Sequence, residues 1–206
     1  MANKLLVSLA CLVFSASMLF AGDKYNGVWW LAADEDARLH FVEGYLGCRA
    51  LYCSPSRRQP VRHPIKMRKA VERYYADGGE RLLEPVWQVI ERLIPDPAVA
   101  FDPLPPDVVG EPCCGGDCFD GRYWREIGGP GEDLITYRSF FIAALLECLK
   151  HFGPEGLKFS KAPEYYVAKL NEFYGVTPED PDAVSNDDAV ACKPIFEVLK
   201  ELADKP

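Results

Sequence analysis

Tyr25-Asn26-Gly27-Val28-Trp29-Trp30 returns later in the chain as Phe119-Asp120-Gly121-Arg122-Tyr123-Trp124. The shared string is an aromatic, an Asx, a glycine, any residue, an aromatic and a tryptophan, and in both places a helical stretch follows. Working outward, the second copy carries six extra residues around Gly128-Gly129-Pro130-Gly131, after which the register holds. Arg38 then pairs with Arg138, Phe41 with Phe141, Val42 with Ile142, Leu46 with Leu146 and Cys48 with Cys148, while Gly44 is matched by another small residue, Ala144. Further on, Val71-Glu72-Arg73-Tyr74-Tyr75 pairs with Leu170-Asn171-Glu172-Phe173-Tyr174. Pro85-Val86-Trp87-Gln88-Val89-Ile90 pairs with Pro194-Ile195-Phe196-Glu197-Val198-Leu199. Matching blocks in the same order predict a duplication. Two copies make a pseudo-symmetric pair rather than a repeat array, which needs three or more.

The periodicity inside each copy predicts an all-α fold of about three helices per unit. Asp34-Glu35-Asp36 supplies an N-cap candidate and first-turn acids that the helix dipole favours. Phe41, Tyr45, Cys48 and Tyr52 then recur at steps of three and four, the spacing of one helix face. Gly44 and Gly47 would each cost a helix interior about 1 kcal/mol, which predicts close approach by another helix as compensation. The equivalent helix is expected from about Leu134 to Phe152, with Phe141, Leu145, Cys148 and Phe152 on one face. Closing helices are expected to begin near Pro85 and Pro194, with proline at the first helical position. No stretch shows strand-like alternation.

The expected organisation is a signal peptide over 1–21, a helical unit over 22–95, a connector over 96–118 and a second unit over 119–206. Lys4, the apolar run Leu5 to Phe20 and the small residues Ala21-Gly22 have the signal-peptide pattern. The run is shorter than the ~20 residues a spanning helix needs. Export to the periplasm or the medium is expected, with no stable membrane insertion after cleavage. The connector holds Pro97, Pro103, Pro105, Pro106 and Pro112, so it reads as semi-extended. Its end, Cys113-Cys114-Gly115-Gly116-Asp117-Cys118, would be pinned by disulfides.

Cleavage after Ala21 removes Cys11 and leaves Cys48, Cys53, Cys113, Cys114, Cys118, Cys148 and Cys192, all disulfide candidates in an oxidising compartment. Six of seven can pair in 105 arrangements, among which sequence does not choose. The connector cluster is expected to bridge toward Cys48, Cys53, Cys148 or Cys192. A net charge of −8 without basic runs argues against nucleic acid and suits a protein partner, a basic one above all.

Catalytic chemistry is not evident. The three histidines are His40, His63 and His151, and His40 with nearby Asp36 reads as a solvated helix pair. No nucleophile elbow, phosphate loop or zinc-protease motif occurs, so no catalytic residue, no cofactor and no enzyme activity are expected. The cysteine triplet lacks the second ligand pair of a zinc site. The loop with Asp180, Asp182, Asp187 and Asp188 lacks the glycine and terminal glutamate of a calcium loop. No metal is expected. An alternative, an exported enzyme or carbohydrate binder, would use Trp29, Trp30, Trp124, Tyr74 and Tyr75 as cleft walls. The matched positions of Trp30 and Trp124 suit core anchors better. A structural envelope protein is the remaining alternative.

In the first unit, Phe41-Val42-Glu43-Gly44-Tyr45-Leu46, Val71-Glu72-Arg73-Tyr74-Tyr75 and Pro85-Val86-Trp87-Gln88-Val89-Ile90 form a pattern. It resembles the small periplasmic immunity proteins that protect bacteria against type VI secretion amidase effectors. Tyr174-Gly175-Val176-Thr177-Pro178-Glu179 resembles that family's loop between its last two helices. The resemblance implies an exported, non-enzymatic, helical inhibitor or immunity protein that neutralises a cell-wall-active effector. This chain departs in having two units and a long connector, and in carrying Ala144-Leu145 where the first unit has Gly44-Tyr45. Occlusion of the partner's cleft is expected from the loops Asp77 to Glu84 and Gly175 to Cys192. Asp77, Glu80, Glu179, Asp180, Asp182 and Asp187 are the expected contacts.

Overall fold

The computed structural model describes residues 24–52, 63–96, 119–127, 134–177 and 188–204. Within them the regular elements are α1 (Gly27–Ala32), α2 (Glu35–Tyr52), α3 (Pro64–Ala76), a 3-10 turn (Gly79–Leu83) and α4 (Val86–Leu93). These are followed by α5 (Gly121–Glu126), α6 (Leu134–Phe152), α7 (Pro163–Tyr174), α8 (Asp188–Ala191) and α9 (Ile195–Leu202). Among the described residues the fold is all-α, and the one strand-like contact is an isolated bridge between Asn26 and Pro85. The span expected for the second long helix coincides with α6.

Six-residue helices such as α1 and α5 are too short to hold themselves together. Each is set by a side-chain cap and a buried tryptophan. The Asn26 carboxamide oxygen accepts from the Val28 and Trp29 amides at 3.0 and 3.2 Å. The Asp120 carboxylate accepts from the Arg122 and Tyr123 amides at 2.9 and 3.1 Å. Trp30 and Trp124 are fully buried. A Cβ on Gly27 would lie 2.5 Å from the Tyr75 ring, and one on Gly121 would lie 2.5 Å from the Tyr174 ring. Glycine is therefore required at both places for the tyrosine to seat. Asp120 is buried, and its Oδ2 has no hydrogen-bond partner. Asp120→Asn, which installs the side chain found at Asn26, should hold stability within about 1 kcal/mol, whereas Asp120→Ala should cost about 1–2 kcal/mol. Urea unfolding of the two variants measures the difference.

The most extensive interface joins α2 to α6. The helices run in the same direction. His40 meets Tyr137 (ring centroids 5.7 Å apart), Gly44 lies against the Phe141 backbone, and Cys48 is bonded to Cys148 across a Cα–Cα distance of 6.2 Å. A Cβ on Gly44 would stand 2.2 Å from the Phe141 carbonyl oxygen, so the close helix approach expected from the sequence is present there. Gly47 differs, because its neighbour is the ring of Phe119 rather than a helix backbone. Phe41, Tyr45 and Cys48 on α2 and Phe141, Leu145 and Cys148 on α6 are buried.

The Cys48–Cys148 bond narrows the alternatives expected for the connector cysteines. Neither cysteine is available to the connector cluster, because parallel packing of α2 on α6 sets the two side by side. Cys192 is disulfide-bonded as well. Cys53, Cys113, Cys114 and Cys118 lie outside the described residues.

The shorter helices build outward from this pair. α3 lies on α2 and α4 on α3; α7 lies on α6 and α9 on α7. The outer helices also reach across. Trp87 of α4 stacks on His151 of α6 at 4.0 Å, and Phe196 of α9 meets Tyr52 of α2 edge-on at 5.1 Å. The buried side chains consequently form one contiguous core. Pro85 and Pro194 precede α4 and α9 as N-caps rather than opening them, with φ −61° and ψ 139° and 138°. The chain is still extended there because the next amides bond outside the helix. Val86 N–H donates to Tyr25 O at 2.9 Å, and Ile195 N–H donates to Phe119 O at 2.8 Å. The prolines that do sit in a first helical turn are Pro64 and Pro163.

Candidate functional site

The loop between α3 and α4 is held at its base and open at its tip. α3 stops at Asp77 because Gly78 and Gly79 follow, both with φ +66°, a conformation that strains any other residue. Nothing lies within 4 Å of a Cβ on either glycine, so the requirement there is conformational rather than steric. The base is fastened by the Tyr75 hydroxyl, which donates to Glu84 O at 2.8 Å, and by half-buried Leu82 packing against the core. Glu80 and Arg81 point outward, and Leu83 is 66% exposed.

Beside the tip a polar network joins α3, the loop and α4. Tyr74 OH donates to a Glu84 carboxylate oxygen, and Arg92 donates to the Tyr74 oxygen at 2.6 Å while pairing with Glu84. Arg81 pairs with Asp77. Both guanidiniums lie over the Tyr74 ring, at 5.1 Å for Arg81 and 5.4 Å for Arg92. The hydrogen bond to Glu84 pushes the Tyr74 phenol up, so it stays protonated and donates throughout the neutral range. The two ion pairs cancel in charge, which leaves Glu80 as the unbalanced carboxylate of the loop.

Of the expected contact residues, Asp77 and Glu80 share this loop. Glu179, Asp180, Asp182 and Asp187 lie outside the described residues. The segment holding them starts after Gly175, the left-handed C-cap of α7 with φ +75°, and ends at α8. Leu83 and the Tyr74–Glu84–Arg92 network carry no sequence signal of their own, because their exposure and meeting depend on how α3 and α4 pack.

The aromatic walls expected for a sugar cleft are split between core and surface: Tyr74 is partly exposed in the network with Glu84 and Arg92. Trp30, Trp124 and Tyr75 are fully buried, and Trp29 is half-buried among Tyr25, Phe41 and Phe140. A separate open cleft of about 530 Å³ runs between α6 and residues 157–163, with Tyr25, Glu147, Lys150 and Phe159 in its lining. Both lining carboxylates are engaged: Glu147 Oε1 contacts His151 Nε2 at 3.0 Å and accepts from Lys150 at 3.3 Å, and Asp204 Oδ1 accepts from the Ser160 hydroxyl at 3.1 Å.

His40 is paired with Glu43 at 2.9 Å, while Asp36, one turn before it, is exposed in the first turn of α2. The same Glu43 oxygen accepts from Tyr123 OH at 2.9 Å, which ties α5 to α2; burial pushes that phenol well up. Among the described residues no group of three or more His, Cys, Asp or Glu is placed to hold a metal. None of their helices is long and apolar enough to cross a membrane.

Comparison with known proteins finds no matching family model, no matching curated protein and no matching solved structure.

Proposed function

We propose that this chain is an exported, non-enzymatic binding protein built by tandem duplication, and that it inhibits a cell-wall-active effector through the α3–α4 loop. The observation that carries the reading is the loop itself: glycine-hinged, fastened beneath by Tyr75, and presenting Leu83 and Glu80 outward. A pre-shaped protrusion loses little entropy on entering a cleft. The sequence resemblance to amidase-neutralising immunity proteins supplies the partner class. The buried Cys48–Cys148 bond favours an oxidising compartment.

The duplication is supported by contacts that recur at matched residues. Asn26 and Asp120 make the same cap, and Gly27 and Gly121 meet Tyr75 and Tyr174 in the same way. Those two tyrosines donate to Glu84 O and Lys193 O at 2.8 and 2.7 Å. Arg38 and Arg138 lie over Trp30 and Trp124 at 5.9 and 5.2 Å. The disulfide joins two matched positions, as a local two-fold axis between α2 and α6 would require.

Inhibition of purified peptidoglycan amidases by the oxidised protein tests the function. Combining Glu80→Ser with Leu83→Ser should weaken inhibition of a sensitive amidase at least about ten-fold, the loss expected for one central contact. Both side chains face solvent, so the melting temperature should hold. Undiminished inhibition by that variant would move the site away from the loop.

A further inference from the structure

α1 and α5 have the same length, the same kind of cap and the same glycine–tyrosine contact, yet their outer faces differ in chemistry. Val28 and Leu31 stand one turn apart on α1 and are 55% and 49% exposed. At the corresponding places α5 carries Arg122 and Arg125, also exposed. This local geometry therefore forms with guanidinium groups at both positions, and folding does not call for the apolar pair. α1 also lies directly on the 3-10 turn, because a Cβ on Gly27 would stand 2.8 Å from Leu82 Cα. Val28, Leu31 and Leu83 are thus exposed apolar residues of two elements in contact. Exposed carboxylates on the adjoining segments are Asp34, Asp36 and Glu80, the last two outside the ion pairs of the described residues. The cations Arg38, which donates to Leu31 O, and Arg81 are paired with Glu72 and Asp77. An apolar centre with a carboxylate rim repels anionic lipid and nucleic acid and complements a cationic surface.

We propose that α1 and the 3-10 turn form one docking face for a folded protein whose contact surface is basic and offers an apolar recess to Leu31 and Leu83. This rests on the binding reading above; it adds the α1 half of the site and the chemistry of the partner. Lysines or arginines of the partner pair with Asp36 and Glu80 at the rim, while the apolar side chains supply the desolvated centre.

The test places a benzophenone amino acid at position 31, 83 or 125 of the oxidised protein, irradiates it in envelope extract, and identifies and purifies what is captured. The captured protein is then titrated against wild type and variants at about 50 and 300 mM salt, which brackets strong and weak screening. Capture of one protein from positions 31 and 83 but not 125 is expected. Val28→Arg with Leu31→Arg should weaken its binding at least about thirty-fold. Asp36→Lys with Glu80→Lys should weaken binding at low salt and reduce its salt dependence. Because α5 carries arginine at both places, the arginine variant should melt within about 2 °C of wild type. Capture of nothing, capture of a second copy of this chain, or a captured protein whose affinity ignores both variants would overturn the proposal. If the arginine variant binds normally while Glu80→Ser with Leu83→Ser does not, this inference fails and the loop reading stands. If neither variant weakens binding, both readings fail.

Discussion

The oxidised protein with both Cys48 and Cys148 replaced by alanine is expected to be about 4 kcal/mol less stable than wild type. The bond closes a sequence separation of 100 residues. Chain-entropy bookkeeping for a loop of that size gives about 4.7 kcal/mol. Cys192 is in another disulfide, so the unfolded chain without this bond is not wholly unconstrained and the loss falls somewhat short of that figure. Against a typical total of about 5–15 kcal/mol, the difference separates a robust fold from a marginal one. Urea unfolding measures it directly. The midpoint should fall, and the m-value should rise because the unfolded chain becomes more expanded. Both cysteines are buried, so reducing agent should break the bond only as fast as the protein opens. A loss below about 1 kcal/mol would mean that the packing of α2 on α6 needs no covalent tie.

That bond also marks where sequence reasoning stopped. Cys48 and Cys148 are recognisable as matched positions, and the ends of α6 are legible because its apolar period is long and uninterrupted. Whether two such residues touch depends on how the helices carrying them pack, and no periodicity decides that packing. Gly44 was more informative. A glycine on the buried side of a helix costs propensity, so it signals a close neighbour, and that neighbour is the Phe141 backbone.

The candidate site was legible in the opposite sense. Asp77 and Glu80 stand out as acids in a predicted loop, but Val28, Leu31 and Leu83 read as core residues from their chemistry alone. Their exposure is decided by how α1 sits on the 3-10 turn, a contact between residues far apart in the chain. The Tyr74–Glu84–Arg92 network is invisible for the same reason.

Gly44→Ala should cost about 3 kcal/mol, although alanine is the better helix former by about 1 kcal/mol. The added Cβ would lie 2.2 Å from Phe141 O, and ordinary contacts begin at 3.4 Å, so α2 and α6 would have to part by about 1 Å. The obstructing atom is backbone and cannot swing aside as a side chain end would. Parting the helices loosens the Phe41, Tyr45, Phe141 and Leu145 contacts together, in a core packed as densely as a crystal. It also pulls on Cys48, one turn further along α2. The cost should therefore not add to that of the cysteine pair. With both cysteines alanine, the helices are freer to separate, and Gly44→Ala should be milder by about 1 kcal/mol. Ala144→Gly is the control: it should cost only about 1 kcal/mol, from helix propensity and one lost methyl. A neutral or stabilising Gly44→Ala would mean that propensity decides at this position and that the helices do not meet there as closely as the Phe141 contact requires.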